Sequence, residues 1–374
     1  MKIAVDTRQL RDDHHLPEEG NFLYEVVKRI VKKNPEHEFI FFFDRPYDAR
    51  FLFDKNIIPV VSGPKISNLL LVKFWYDIKI PALLKKYKAD VFIAANGICS
   101  LTAKTPQCLV VNDLSFLFYP SFIKKAELVF LKRYTSRFLR KAESIVAFSE
   151  FLEKSISSLN IIKKEKVNVV RGSVSDIFSP LNESEKEEIK QKYTDGKNFF
   201  LYAGSIHPKK NLINLLKAFS VFKKRQKSDW KIVLAGNTIR GNKTFSQNLK
   251  TYKHRADVVM VDAKDEEMAK LTGSAYAFIY PPFWDGTGVQ ILGAMNSHIP
   301  IITSENSAMQ EIAGDAALYI NPADYKNIAD KMMLLYKDES LRNSLIEKGK
   351  LVAAGYSWEK AADLFWQGIL KAVK

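Results

Sequence analysis

The feature that most constrains this chain is an alternation, run through twice, of short β-branched or aromatic runs with segments whose apolar residues fall three and four apart. In the first half KIAVDT, EFIFFFD, NIIPVV, DVFIAA, QCLVVND, SIVAFS and VNVVRG read as strands, and residues 20–33 and 122–142 between them have helical spacing. The alternation restarts with FFLYAG, WKIVLAG, DVVMVD, AFIYP, IPIITS and AALYI. Strands separated by helix-length crossovers pair in parallel, so the expectation is α/β architecture with two sheets. The polar stretch 176–197, with Pro180, Asn182 and Ser184, reads as a linker between a domain over 1–175 and a second over 198–356. Residues 357–374 carry Leu364, Phe365, Ile369 and Leu370, a helix that needs a partner surface and is expected to cross back to the N-terminal domain.

Composition narrows the function. A hydrophobic fraction of 47% and a charged fraction of 26% exclude disorder and fibrous repeats. No apolar run approaches the ~18 residues of a membrane span, and the first residues lack the apolar core of a signal peptide. Cys99 and Cys108 are too few for a disulfide framework or a zinc site; they read as buried apolar residues in a reduced, cytoplasmic protein. The net charge of +15 favours polyanions: nucleotides, nucleic acids or an anionic membrane face. The absence of zinc-finger, RNA-binding or basic coiled-coil signatures argues against nucleic acid. His14 and His15 lie in a loop without metal-ligand spacing. Residues 69–88 mix Phe74, Trp75 and Tyr76 with lysines, and residues 124–141 hold Glu127 as their one acid. Such basic amphipathic segments suit an anionic membrane surface, at the inner face of the membrane for a cytoplasmic protein; equally, their apolar faces would pack inward.

Two segments carry chemistry. In 199–219 a strand ends at Gly204, a short loop follows, and a helix begins near Asn211, with Lys209 and Lys210 at its mouth to neutralise a diphosphate. In 275–302 a strand runs into Pro281 and Pro282, then Asp285, Gly286, Thr287 and Gly288, then a helix through ILGAM. The glycines would let backbone amides approach a ligand, and Asp285 would accept hydrogen bonds from sugar hydroxyls. Two such turns at the carboxyl ends of parallel strands place a ligand site there.

The order YAGSIHPKKN, IYPPFWDGTGVQILGAM, IPIITSENSAMQEIAGDAALYINPAD and YSWEKAA resembles glycosyltransferase family 4, with KIAVDTRQL, VNDLSFLFYP, SIVAFSEF and SVSDIFSP in the family's order upstream. The resemblance implies a GT-B fold of two Rossmann-like domains whose parallel sheets face an interdomain cleft. It implies retaining transfer from a nucleotide sugar, bound by the C-terminal domain, to a glycan or lipid-linked acceptor in cell-surface polysaccharide synthesis. No metal or other cofactor is expected, since no Asp-x-Asp motif is present. Lys210 matches the family's diphosphate lysine, with Gly204, Ser205, Lys209, Gly286, Thr287, Gly288, Val289 and Gly293 as further donor-binding positions.

This chain departs from the family pattern at several points. The family's E-x7-E pair falls on Asp285 and Gly293, so the second carboxylate, which holds the ribose, is gone. The His-Asp pair after an N-terminal strand reads Asn112–Asp113, and an amide cannot shuttle a proton. The usual arginine falls on Ser205, and the glycine-rich acceptor loop is reduced to Gly20 followed by Asn21. The family's mechanism is front-face attack, the departing phosphate oxygen taking the acceptor's proton while Lys209, Lys210 and amides stabilise the leaving group. These departures keep a second reading open, a degenerate homologue that binds a nucleotide, glycan or partner without turnover.

Overall fold

The computed structural model describes residues 1–10, 16, 18–227, 229–236, 243–305 and 307–374. His14 and His15 therefore lie outside the described residues. The chain divides into two compact units, Met1–Gly172 with Ser357–Lys374, and Ser173–Tyr356.

The first unit holds a seven-stranded, wholly parallel sheet. Its strands are β1 (Lys2–Asp6), β2 (Glu38–Phe43), β3 (Ile57–Val61), β4 (Val91–Ala94), β5 (Gln107–Val111), β6 (Ser144–Ala147) and β7 (Val167–Val169), in the order β3-β2-β1-β4-β5-β6-β7. Each coincides with one of the seven expected runs. All six residues of β2 but the first are buried, as continuous apolar runs must be when helices cover both faces. The helix Trp358–Val373 supplies Phe365 and Ile369 to this unit's core. It lies on the helix Glu18–Lys33, where Phe22 meets the rings of Trp358 and Phe365 at 6.0 and 6.1 Å. Arg29–Glu359 at 2.8 Å and Lys33–Asp363 at 2.6 Å edge the contact, and Gly368 lets the helix sit close to Val146.

The second unit holds a six-stranded parallel sheet: β8 (Phe199–Ala203), β9 (Lys231–Ala235), β10 (Val258–Val261), β11 (Ala277–Tyr280), β12 (Ile301–Ser304) and β13 (Ala317–Ile320), ordered β10-β9-β8-β11-β12-β13. These too coincide with the expected runs. Residues 176–197, read as the linker, belong to this unit. They contain the helix Glu183–Thr194, started by a capping box between Asn182 and Glu185. This helix buries Ile189 and Thr194 and packs on the helix Asp265–Ser274, with Lys192 and Tyr193 both on Glu267.

Chain order reverses between β1 and β4 in the first sheet and between β8 and β11 in the second. Ligand crevices of open α/β sheets form at these switch points, beyond the carboxyl ends of the strands.

Candidate active site

At the second switch point, the loop after β8 and the loop after β11 bring three side chains together. Lys210 closes a single 3₁₀ turn, Pro208–Lys210, capped by His207, whose Nδ1 accepts from the Lys209 N–H at 3.2 Å. Asn211 follows at φ 64°, and its amide donates to the carbonyls of Pro281 (3.0 Å) and Pro322 (2.6 Å), locking the two loops together. The helix Leu212–Gln226 begins there. Phe283 N–H donates to the Lys209 carbonyl at 2.8 Å, a second tie between the loops.

These ties aim Lys210 at Asp285. The ammonium donates to Oδ2 at 2.6 Å and to the Tyr280 hydroxyl, which itself donates to the same Oδ2 at 2.6 Å. Both charged side chains are nearly sealed, at 8% and 4% exposure. The other carboxylate oxygen accepts from Thr287 N–H (2.9 Å), Thr287 Oγ1 (3.0 Å) and Gly288 N–H (3.1 Å). Burial alone would raise the Asp285 carboxyl, but the Lys210 charge and the bonds from Lys210, Tyr280 and Thr287 outweigh it and hold it far below the usual carboxylate range.

This geometry changes what the sequence implied. Asp285 faces five donors with roughly four lone-pair sites, so it has no capacity left for a sugar hydroxyl. The amides of Thr287 and Gly288 serve Asp285 rather than an incoming phosphate. Asp285 is a positioning residue that holds Lys210 in place, and Lys210, with three N–H groups and two partners, is the group with a donor to offer. Gly288 has φ +67° with its Cβ position 2.8 Å from Ile312, so no other residue fits this turn. Gly286 and Thr287 are buried beside it, and Val289 precedes the short helix Gln290–Asn296. Gly204, at φ +146°, ends β8, and the Cβ position of Gly236 lies 2.2 Å from its carbonyl oxygen. Exposed Ser205 accepts from the Tyr202 hydroxyl at 2.8 Å through its carbonyl.

Gly293 is where the structure departs most from expectation. A Cβ there would sit 3.0 Å from Cδ1 of Phe178, whose ring occupies the space a side chain would need.

In the first unit, Asn112 and Asp113 follow β5 and line a cavity of about 210 Å³ with Glu19, Asn96, Ser115 and Glu127. Asn112 Nδ2 donates to Glu19 Oε1 at 2.7 Å, and the Asp113 carboxylate accepts from the Ser115 N–H. Gly20 and Asn21 are not in a loop; they lie in the helix Glu18–Lys33, and Glu19 is the residue of that segment that reaches the cavity. Nearby, Arg8 forks onto Asp6 at 2.8 and 2.9 Å, and Tyr76 donates to the same carboxylate at 2.6 Å, holding the end of β1.

Sequence reasoning missed Tyr280, Asn211, Glu19 and Phe178. A tyrosine ending a buried strand, whose hydroxyl needs a partner, was the one readable signal among them. Cys99 and Cys108 are buried thiols pushed up to about 12 by that burial, and so behave as the apolar residues expected. Among the described residues no group of His, Cys, Asp or Glu is arranged to hold a metal ion.

The Asp285 environment predicts an acid response. Its folded-state pKa is depressed, so it contributes stability above the ordinary value of about 4 that is lost as pH falls toward the folded value. Thermal melts between neutral pH and about pH 3 should show this loss. Asp285→Asn, less stable at neutral pH, should lose less over the acid window; identical slopes would mean that Asp285 is not the group titrating.

Residues 183–352 match the family described as Glycosyl transferases group 1. Over 376 aligned residues the chain is 24% identical to O-antigen chain mannosyltransferase B of Escherichia coli, spanning 96% of this chain and 97% of that one. Sucrose-phosphate synthase from Thermosynechococcus elongatus superposes with a TM-score of 0.79 at 14% identity, covering 98% of this chain and 97% of its own. Anabaena HepE, solved in complex with UDP-glucose, superposes with a TM-score of 0.76 at 15% identity, covering 98% of each chain. The fold is GT-B, and the segment that matches the group 1 glycosyltransferase family lies within the second unit.

Proposed function

We propose that this chain is a retaining glycosyltransferase that moves a hexose, mannose foremost, from a nucleoside-diphosphate sugar to a growing glycan or lipid-linked acceptor in cell-surface polysaccharide synthesis. The carrying observation is the buried Lys210 ammonium, fixed by Asp285 and Tyr280 at the switch point of the second sheet. The similarity to an O-antigen mannosyltransferase over nearly the full length supports the sugar and the pathway class. The UDP-glucose complex of HepE supports a nucleotide-sugar donor.

Lys210 stabilises charge on the departing diphosphate from a fixed position, and needs no reorganisation to do so. Asp285 acts through Lys210. The acceptor hydroxyl loses its proton to the departing phosphate oxygen. Lys210 takes the place of a divalent cation, so EDTA should leave turnover unchanged.

The test is a thermal-shift panel of nucleoside diphosphates and their sugars, followed by NMR of the product's anomeric configuration. A ligand at 100 times its Kd adds ~2.7 kcal/mol of apparent stability. Retention at the anomeric carbon is expected; inversion sinks the mechanism, and no shift from any nucleotide sugar sinks the donor. The closed space at Gly293 favours one alternative, a degenerate homologue that binds a nucleotide, glycan or partner. That reading forecasts binding without product.

A further inference from the structure

The cavity of about 210 Å³ in the first unit is walled by the loops after β4 and β5, by Glu19 from the helix Glu18–Lys33, and by one face of the helix Lys125–Lys141. Among the described residues that line it are three carboxylates, Glu19, Asp113 and Glu127, and no Lys, Arg or His, in a chain whose net charge is +15. Carboxylates alone do not make a site. Thr135, however, lines the same cavity at 8% exposure, and its hydroxyl has no hydrogen-bond partner among the described residues. A buried helical threonine can bond back to the carbonyl four residues earlier, as Thr194 does to Lys190 at 2.9 Å. Thr135 does not, which leaves its hydroxyl to whatever the cavity holds. Asn112 spends its amide nitrogen on Glu19 Oε1 at 2.7 Å, so its own carbonyl oxygen and Glu19 Oε2 also stay open.

Two open acceptors and one hydroxyl call for a ligand rich in O–H or N–H donors. A phosphate or carboxylate would bring only acceptors to Glu19 Oε2 and the Asn112 oxygen, and would face three like charges. A bare metal ion does not fit either, since the carboxylates are not arranged to hold one. Directly after the lining loop, Phe118 is 51% exposed and the rings of Tyr119 and Phe122 stack at 5.7 Å and 7°. Apolar rings beside a few convergent polar groups suit a sugar, whose ring carries C–H faces and hydroxyl edges. We propose that this cavity holds the terminal residue of the acceptor and selects a sugar bearing hydroxyl or ammonium groups against one bearing phosphate or carboxylate. Its assignment to the acceptor rests on the transferase reading proposed above; the selection by charge rests on the cavity alone.

The experiment is a saturation-transfer NMR titration of the full chain with methyl mannoside, methyl glucosaminide, methyl glucuronide and mannose 6-phosphate. The first two should bind, and the last two about tenfold more weakly or worse, because like charges brought together are strongly disfavoured. Thr135→Val keeps the side chain's shape and should weaken the mannoside about fivefold. Glu19→Gln with Asp113→Asn keeps an acceptor for the Asn112 amide and for the Ser115 N–H, and should bring the glucuronide close to the mannoside. If that pair lowers the melting temperature, Glu127→Gln, at an exposed position, should narrow the same gap by itself. Equal binding of anionic and neutral sugars by the parent would overturn the proposal, as would a mannoside signal that Thr135→Val leaves unchanged. No sugar signal, beside a thermal shift from a nucleotide sugar, would sink this inference and leave the transferase reading standing. A sugar signal without any nucleotide shift would keep the sugar site and sink its assignment to an acceptor.

Discussion

Replacing Lys210 by alanine should abolish transfer and also lower the melting temperature of the second unit. The side chain is one half of a buried ion pair, so its loss leaves the Asp285 carboxylate sealed from water without its charge partner. Breaking such a pair costs about 3–5 kcal/mol, or about 10 °C in a unit of this size. On the proposed function, losing the contact to the diphosphate would cost a further ~1.5–3 kcal/mol, tenfold or more in nucleotide affinity. The two effects separate in the double variant Lys210→Met, Asp285→Asn. Its neutral pair removes the stranded charge, and the asparagine oxygen still accepts from the amides of Thr287 and Gly288. Stability should largely return while nucleotide binding, read by calorimetry, stays lost. If affinity returns with stability, Lys210 is a structural residue and the donor sits elsewhere.

Gly293→Glu carries the second large effect, in the direction opposite to a restoration of the family's carboxylate. The Cβ alone would meet the Phe178 ring at 3.0 Å, and four more heavy atoms and a charge would follow into the same closed space. Overpacking of this kind costs about 1–3 kcal/mol before the unpaired charge is counted. A melting temperature lower by at least ~5 °C is expected, with no gain in nucleotide affinity. Phe178→Ala opens the space, and adding Gly293→Glu to it should then tighten nucleotide binding relative to Phe178→Ala alone. No gain there would mean that the helix Gln290–Asn296 no longer faces a ribose.

Much of this fold was legible because its information is local. Every strand of both sheets is a short β-branched or aromatic run, and the turns that follow β8 and β11 announce themselves by glycine, proline and lysine. The site was legible only as far as those loops. That Lys210 and Asp285 lie at one place followed from their positions after parallel strands. That they consume each other's charge did not, because it depends on Tyr280 and on the Asn211 tie, contacts set by tertiary packing. Phe178 lies far upstream of Gly293, and no periodicity connects an aromatic ring to the side chain it displaces. At Gly20 and Asn21 the helical spacing of residues 20–33 was the better guide: the family resemblance implied a loop there, yet the helix Glu18–Lys33 runs straight through it.

The return of the helix Trp358–Val373 to the first unit has a consequence for how the protein is made. Domains commonly fold in order as they leave the ribosome. Here the segment Met1–Gly172 lacks Phe365 and Ile369, which lie in its core, until the whole second unit has been synthesised after it. The second unit, Ser173–Tyr356, has all its residues before then. The unit started before the other closes after it, and its unfinished helix-binding face, which includes Phe22, is the apolar surface that must be kept from neighbours while the second unit is translated.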